Sequence, residues 1–244
     1  MGKVLAPLDP VADLKRLLPR GGRPREVRTS VLAWWAAHDL GAHPAAVGKR
    51  VALALIEQVP PEAKLAGIIV LHELLGAQLR SADLPAFARL FADGHLAEPR
   101  CVDWFCMKVL VTLVDRQTGR REVTRGLAQW RTAETCWQRR AACLAFIKVA
   151  PQGDAAVPGL TDLVLATCAT VVWSPERCDQ TAVGWLLREL SRAEPRRVEQ
   201  FFRRHALLMS HEAARQATAR LPEALRAELL THHKRATSLR AGKP

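Results

Sequence analysis

Residues 179–192, DQTAVGWLLRELSR, decide the fold class, because their apolar side chains recur with the period of an α-helix. The resulting apolar stripe consists of Ala182, Val183, Leu186, Leu187 and Leu190. The stretch 101–114, CVDWFCMKVLVTLV, is almost wholly apolar and predicts a buried central helix. A further helix is predicted over residues 133–148, AETCWQRRAACLAFIK.

Gly and Pro residues divide the rest of the chain into segments of helix length. Pro61 and Pro175 are predicted in first helical turns, Ser81 and Ser174 as N-caps, and Gly94 as a helix stop. Paired helices recur about every 35–40 residues, which is the period of HEAT-type arrays. The sequence therefore predicts an all-α, HEAT-like helical-repeat solenoid with a concave basic face.

We expect one domain over residues 1–230, with no linker inside it. Residues 231–244, THHKRATSLRAGKP, are polar and basic and predict a disordered tail, in which His232 and His233 are solvated.

Composition limits the function classes. The chain of 244 residues is 49% hydrophobic, which excludes a disordered protein. Its formal net charge of +12 predicts binding to a polyanion such as DNA, the alternative being a generically basic protein. No signal peptide and no apolar run of transmembrane length is present in the sequence. We therefore expect a cytoplasmic, nucleoid-associated protein that does not contact a membrane.

The six cysteines form no Cys-x-x-Cys pair, and most lie in apolar helical runs. They predict reduced thiols and neither zinc nor disulfides. A phosphate loop and a dinucleotide fingerprint are both absent from the sequence. We expect no metal, no organic cofactor and a monomer.

Three side chains break the apolar pattern of their helices. Trp185 points about 130° away from the stripe, beside Arg188 and Arg192, and either contacts a nucleic acid or packs on the next repeat. Asp103 either faces a cleft or lies in the first turn of its helix and complements the dipole. Arg140 lies on an apolar face and either binds a phosphate or extends to solvent.

Three segments together resemble the AlkD-like family of DNA alkylation repair glycosylases. Residues 136–142, CWQRRAA, resemble the family's Trp-x-x-Arg-Ala-Ala element. Residues 182–189, AVGWLLRE, resemble its Gly-Trp-x-Leu-Arg-Glu element. Residues 210–213 loosely resemble its closing Ser-x-x-x-Arg-Glu-Ala element, and Asp103 stands where the family carries a catalytic Asp. The resemblance extends over residues 60–220.

The resemblance implies a HEAT-like fold that binds duplex DNA containing alkylated bases. It implies hydrolysis of the N-glycosidic bond of N3- or N7-alkylated purines without base flipping. Asp103 would stabilise the oxocarbenium-like sugar and position water, and Trp185 would contact the deoxyribose. The predicted DNA-binding residues are Trp137, Arg139, Arg140, Lys148 and Arg188.

The chain departs from the family at one position of the expected site. The family carries a Trp four residues before its Asp, whereas this sequence has Pro99, and the chain contains no Tyr. An alternative is therefore a non-catalytic HEAT-repeat protein that binds damaged or branched DNA. A third is a scaffold for a protein partner, whose binding would be insensitive to salt, whereas phosphate binding weakens steeply with salt.

Overall fold

The computed structural model describes residues 10–116 and 118–240, with the backbone alone for residues 239 and 240. Within these ranges the regular elements are helices, and no strand is present. The predicted all-α class is confirmed. No helix in the described ranges combines the length and the apolar character needed to cross a membrane.

The α-helices of the first half are α1 (Pro10–Leu17), α2 (Pro24–Ala37), α3 (Ala45–Ile56), α4 (Pro61–Ile69), α5 (Leu84–Ala92), α6 (Pro99–Phe105) and α7 (Val111–Asp115). Those of the second half are α8 (Arg120–Gln129), α9 (Cys136–Leu144), α10 (Leu160–Val171), α11 (Arg177–Leu190), α12 (Pro195–His205), α13 (His211–Ala217) and α14 (Glu223–Arg240). π-helical turns follow α4 over Val70–Leu74 and join α6 to α7 over Cys106–Leu110.

The predicted helix starts and stops are partly confirmed. Pro61 opens α4, and Gly94 adopts a φ of 77°, which suits a glycine stop. α11 begins later than predicted, because Glu176 is its N-cap residue and the Ser174 hydroxyl accepts a hydrogen bond from the Glu176 backbone N–H instead. The prediction of Pro175 in the first turn is therefore wrong.

The chain divides into two compact units. The first unit comprises Met1–Leu79 and Arg89–Val109. In it α4 packs against α2, α3 and α6. α3 and α4 approach closely at Gly67, where a Cβ atom would lie 2.4 Å from the Ala52 carbonyl oxygen. Only glycine allows this separation of the two backbones.

The second unit comprises Arg80–Ala88 and Leu110–Pro244. α11 lies at its centre and packs against α9, α10 and α13, while α14 packs against α12 and α13. The apolar stripe predicted for α11 is fully buried, which explains its periodicity. The predicted single domain over residues 1–230 stays a prediction.

The predicted disorder of the tail is wrong over residues 231–240, because α14 continues to Arg240. His233 is only 4% exposed, and its Nε2 lies 2.9 Å from the Met209 carbonyl oxygen. This buried contact gives the end of the chain a tertiary partner, whereas sequence composition indicates only that the segment is polar. Residues 241–244 lie outside the described ranges.

Candidate functional site

Asp103, the predicted catalytic residue, lies in the first compact unit as the fifth residue of α6. The helix begins at Pro99 with Glu98 as its N-cap residue, so no acidic residue stands in its first turn. The helix-dipole interpretation of Asp103 is therefore wrong. The side chain is partly exposed, and the π-helical turn begins three residues later, at Cys106. Such turns occur frequently at functional sites.

The surroundings of Asp103 on α6 differ from the family pattern as the sequence predicts. Pro99 is the first helical residue, so the position four residues before Asp103 carries no aromatic ring. The adjacent Trp104 lines a cavity of about 200 Å³ within the first unit, together with the Gly21–Gly22 turn and Leu65. Trp104 is therefore part of the wall of that cavity.

Trp185 lies on α11 in the second unit and is partly exposed. The guanidinium carbon of Arg188 lies 5.7 Å from the centroid of its ring, which is the geometry of a cation–π contact. Arg188 Nε and Nη2 also donate to Glu189 Oε1, at 3.0 and 2.8 Å. Arg188 is thus held between a carboxylate and an aromatic face. The pair presents a flat apolar surface beside a cation, as a nucleic-acid contact requires.

α13 packs closely against α11 at the residue directly before Trp185. A Cβ atom at Gly184 would lie 2.7 Å from the Ala213 carbonyl oxygen and 2.9 Å from the Ala213 Cα atom. The two helix backbones can approach this closely only because residue 184 has no side chain. This contact gives a physical reason for a glycine directly before Trp185.

Arg139 was predicted to bind DNA, but its five N–H groups all have acceptors inside the protein. Nε and Nη2 donate to Asp179 Oδ2, at 2.9 and 2.7 Å. Nη1 donates to the carbonyl oxygens of Ala133 and Glu134, and Nη2 also donates to the Ser174 hydroxyl. Since an Arg side chain has five donors, none remains for a phosphate. We therefore leave Arg139 out of the proposed DNA-binding residues.

Asp179, the partner of Arg139, has no exposed surface. Burial raises the pKa of its carboxyl group, while hydrogen bonds from Ser174 and Arg139 act in the opposite direction. Its second carboxylate oxygen, Oδ1, is buried without a hydrogen-bond partner. Asp179 therefore depends on Arg139 for compensation of its charge.

Arg140 follows neither of the two predicted behaviours, because it is only 8% exposed. Its Nη1 donates to the Cys178 carbonyl oxygen at 3.0 Å and to the Thr181 hydroxyl at 2.9 Å. Arg140 therefore links α9 to α11, the helix that carries Trp185. These two contacts hold α9 and α11 together.

The two remaining predicted residues are accessible to different extents. Trp137, the second residue of α9, is partly exposed. Lys148 is exposed and forms an ion pair with Asp115. This exposed pair holds Lys148 only weakly, because water and salt screen it.

Sequence reasoning missed a basic groove of about 370 Å³ beside Arg188 in the second unit. We call the following set the basic groove: Arg188, His211, Glu212, Arg215, Gln216, Ala219 and Arg226. Among the described residues, Arg215 makes no ion pair or hydrogen bond through its side chain. Gln216 Oε1 and Arg226 Nε are buried without a partner. The only sequence signal for this groove was the loose resemblance of residues 210–213.

A second missed candidate is Trp173, in the segment between α10 and α11, which is 70% exposed. An exposed Trp of this extent is uncommon on the surface of a monomer. Trp173 lies between two helices, so it cannot stand out from a helical apolar stripe as Trp185 does.

Comparisons with known proteins agree on one family. A model of the family described as "DNA alkylation repair enzyme" matches residues 20–221. A solved structure described as a predicted DNA alkylation repair enzyme from Enterococcus faecalis is similar to the chain with a TM-score of 0.66 and 19% sequence identity. The similarity covers 87% of this chain and 92% of that one, and indicates the same α-α repeat fold. No curated protein matches the sequence. The chain belongs to the family of DNA alkylation repair enzymes.

Proposed function

We propose that the protein is a DNA glycosylase that hydrolyses the N-glycosidic bond of N3- or N7-alkylated purines in duplex DNA without base flipping. The observation that carries this proposal is the pair of Trp185 and Arg188 on α11, a partly exposed ring with a cation 5.7 Å from its centroid. A deoxyribose can pack on the ring while a neighbouring phosphate contacts the guanidinium group. Family membership and the net charge of +12 support DNA as the substrate.

The chemistry requires one carboxylate, which we assign to Asp103. An N7-alkylated purine is cationic, so the electrons of the broken glycosidic bond neutralise it and no general acid is needed. The positive charge that develops on the sugar is stabilised by the carboxylate, by about 4 kcal/mol at 4 Å and an effective dielectric constant near 20. This corresponds to a rate factor of up to about a thousandfold. Asp103 also orients the water whose oxygen attacks the sugar carbon.

DNA binding in this proposal relies on cations whose side chains are exposed or partly exposed. Arg188 and Lys148 remain from the predicted set, and Arg215 and Arg226 of the basic groove join them. Arg226 is partly exposed, and its guanidinium group, which also pairs with Glu223, can donate to a phosphate oxygen. Trp137 is a further aromatic contact, while Arg139 and Arg140 position α9 and α11.

The alternative is a non-catalytic relative that binds damaged or branched DNA. The observation in its favour is Pro99, which leaves no aromatic ring one helical turn before Asp103. In that case Asp103 would not be needed for binding, and no base would be released.

The experiment that tests the proposal is release of free alkylpurine from methylated duplex DNA, with the wild type compared with Asp103→Asn. We expect release by the wild type, and a rate about a hundredfold to a thousandfold lower in the variant. Asp162→Asn is the matched control, because it also removes one carboxylate. Asp162 is exposed, lies in the second unit and forms an ion pair with Arg197. This control changes the net charge equally and should keep the wild-type rate.

Two results would contradict the proposal, the first in the role of Asp103 and the second in the enzymatic activity. Release that is equal in the wild type and Asp103→Asn would remove Asp103 from the mechanism. No release by either protein, with salt-sensitive duplex binding intact, would favour the binding-only relative and Pro99 as its mark.

A further inference from the structure

A cluster of donor atoms in the second unit has no role in the proposed chemistry. The thiols of Cys136 and Cys178 and a carboxylate oxygen of Glu176 all lie within 4.8 Å of one another. Cys136 lies about 40 positions before Glu176 and Cys178 in the chain, so no local motif indicates the cluster. Among the described residues the Glu176 carboxylate forms no ion pair or hydrogen bond. The cluster thus contains an acidic group without a protein partner.

The backbone around these donors is held firmly. Cys136 is the first residue of α9, whose N-cap Thr135 accepts a hydrogen bond from the Gln138 backbone N–H. Glu176 is the N-cap residue of α11. Arg140, in the middle of α9, ties that helix to the start of α11 through the Cys178 carbonyl oxygen. The three donors are therefore brought together by the same contacts that join α9 to α11.

Two thiolates and a carboxylate are a donor set suited to Zn²⁺. Tetrahedral Zn²⁺ binds sulfur at about 2.3 Å and carboxylate oxygen at about 2.0–2.2 Å, which separates its ligands by less than 4.8 Å. A bound dication stabilises both thiolates, so binding displaces their protons.

We propose that Cys136, Glu176 and Cys178 form a binding site for one Zn²⁺ ion, with a fourth position open to water. Binding replaces two thiol protons, which pass to solvent, and forms two Zn–S bonds and one Zn–O bond. The three ligands then carry a charge of −3 and the ion +2, which leaves the site with a net charge of −1.

The site lies on the face of α11 that carries the proposed DNA contact. Cys178, Thr181, Trp185 and Arg188 fall within about 80° of one another around the helix axis. Cys178 and Trp185 are about 10 Å apart along it. A metal there would join the starts of α9 and α11 and thereby hold Trp137 and Trp185 in place. The proposal does not depend on glycosylase activity.

A second cysteine pair provides the control. The thiols of Cys143 and Cys168 also interact, and burial raises the pKa of Cys168. This pair is fully buried, and within the described part of the chain no carboxylate joins it. Cys168→Ala therefore removes a paired thiol from the same unit without changing the proposed site.

The test is titration of the reduced, metal-free full chain with Co²⁺ under nitrogen, followed by displacement with Zn²⁺. We expect one Co²⁺ per chain, a near-ultraviolet thiolate-to-cobalt charge-transfer band, and release of two protons in weakly buffered solution. Cys168→Ala should keep all three signals. Cys178→Ser should lose the charge-transfer intensity of one thiolate and bind at least about tenfold more weakly, and Glu176→Gln should weaken binding while keeping the band. Circular dichroism verifies that each variant is folded.

Absence of the charge-transfer band in the reduced wild type would overturn the proposal. Equal metal binding by the wild type and the Cys136→Ser/Cys178→Ser double variant would also overturn it. If the band disappears in Cys168→Ala but persists in Cys178→Ser, the metal binds at the buried pair and the assignment is wrong.

Discussion

The close contact at Gly184 allows a quantitative prediction about the helix that carries Trp185. In Gly184→Ala the new Cβ atom meets the Ala213 carbonyl oxygen at 2.7 Å, at least 0.3 Å inside the 3.0 Å limit below which Cβ contacts are essentially not found. Because both near atoms belong to the backbone of α13, that helix must move as a body. Such overpacking costs about 1–3 kcal/mol. The gain in helix propensity from Gly to Ala is about 1 kcal/mol.

The expected net effect of Gly184→Ala, the overpacking cost less the gain in helix propensity, is a loss of up to about 2 kcal/mol in the free energy of unfolding. Gly126→Ala on α8 of the same unit is the matched control, because its new Cβ atom meets only Leu84 Cδ1, the end of a flexible side chain. We expect this control to be neutral or more stable than the wild type by up to about 1 kcal/mol. Urea denaturation followed by circular dichroism measures both. If the two variants are equally stable within about 0.5 kcal/mol, the close approach of α11 and α13 does not limit residue 184 and the reasoning fails.

Three further predictions concern charged residues. Arg188→Ala should reduce the slope of log K against log salt for duplex binding by about 1, and an unchanged slope would remove Arg188 from the phosphate contacts. The fold should survive, because Arg220 still donates to Glu189. Arg139→Met should cost about 3–5 kcal/mol in urea denaturation, since it leaves the buried Asp179 carboxylate without compensation, and a loss below about 1 kcal/mol would contradict this. The hydrogen bond from the Thr161 backbone N–H lowers the pKa of the Asp154 carboxyl group. The ionised carboxylate therefore stabilises the fold at any pH above the ordinary pKa of an Asp. This stabilisation is lost as the pH falls through the lowered pKa of the folded state. Asp154→Asn should therefore be less stable than the wild type at neutral pH and equal to it in strong acid, and a pH-independent difference in unfolding free energy would refute the pKa argument.

The helices and the family were predictable because they depend on local information. The apolar stripe of α11 and the Gly and Pro breaks are properties of neighbouring residues, and helical geometry converts them directly into structure. The Gly-Trp-x-Leu-Arg-Glu element lies within eight consecutive residues, and the family match over residues 20–221 confirms what it indicated. Helix ends were predicted less well, as at Pro175, because a cap depends on which backbone group a side chain meets.

For the site residues, the sequence pattern predicts the direction of a side chain on its helix but not the residues that it contacts. Trp185 was recognised because it leaves the stripe of its helix, and it is partly exposed. Arg139 and Arg140 look like surface cations in sequence, yet both point into contacts with α11. Their partners, Asp179 and Cys178, lie about 40 residues further along the chain. A helical wheel gives the direction of a side chain but not the element that covers it.

The sequence by itself determined that this protein is helical, basic and a member of a DNA alkylation repair family, because periodicity, charge and short motifs are local or additive properties. Only the tertiary structure decided which cations are used inside the protein, that His233 is buried, and that Cys136, Glu176 and Cys178 meet. These features depend on the packing of helices distant in sequence. Burial and pairing arise from that packing, and no single helix specifies them.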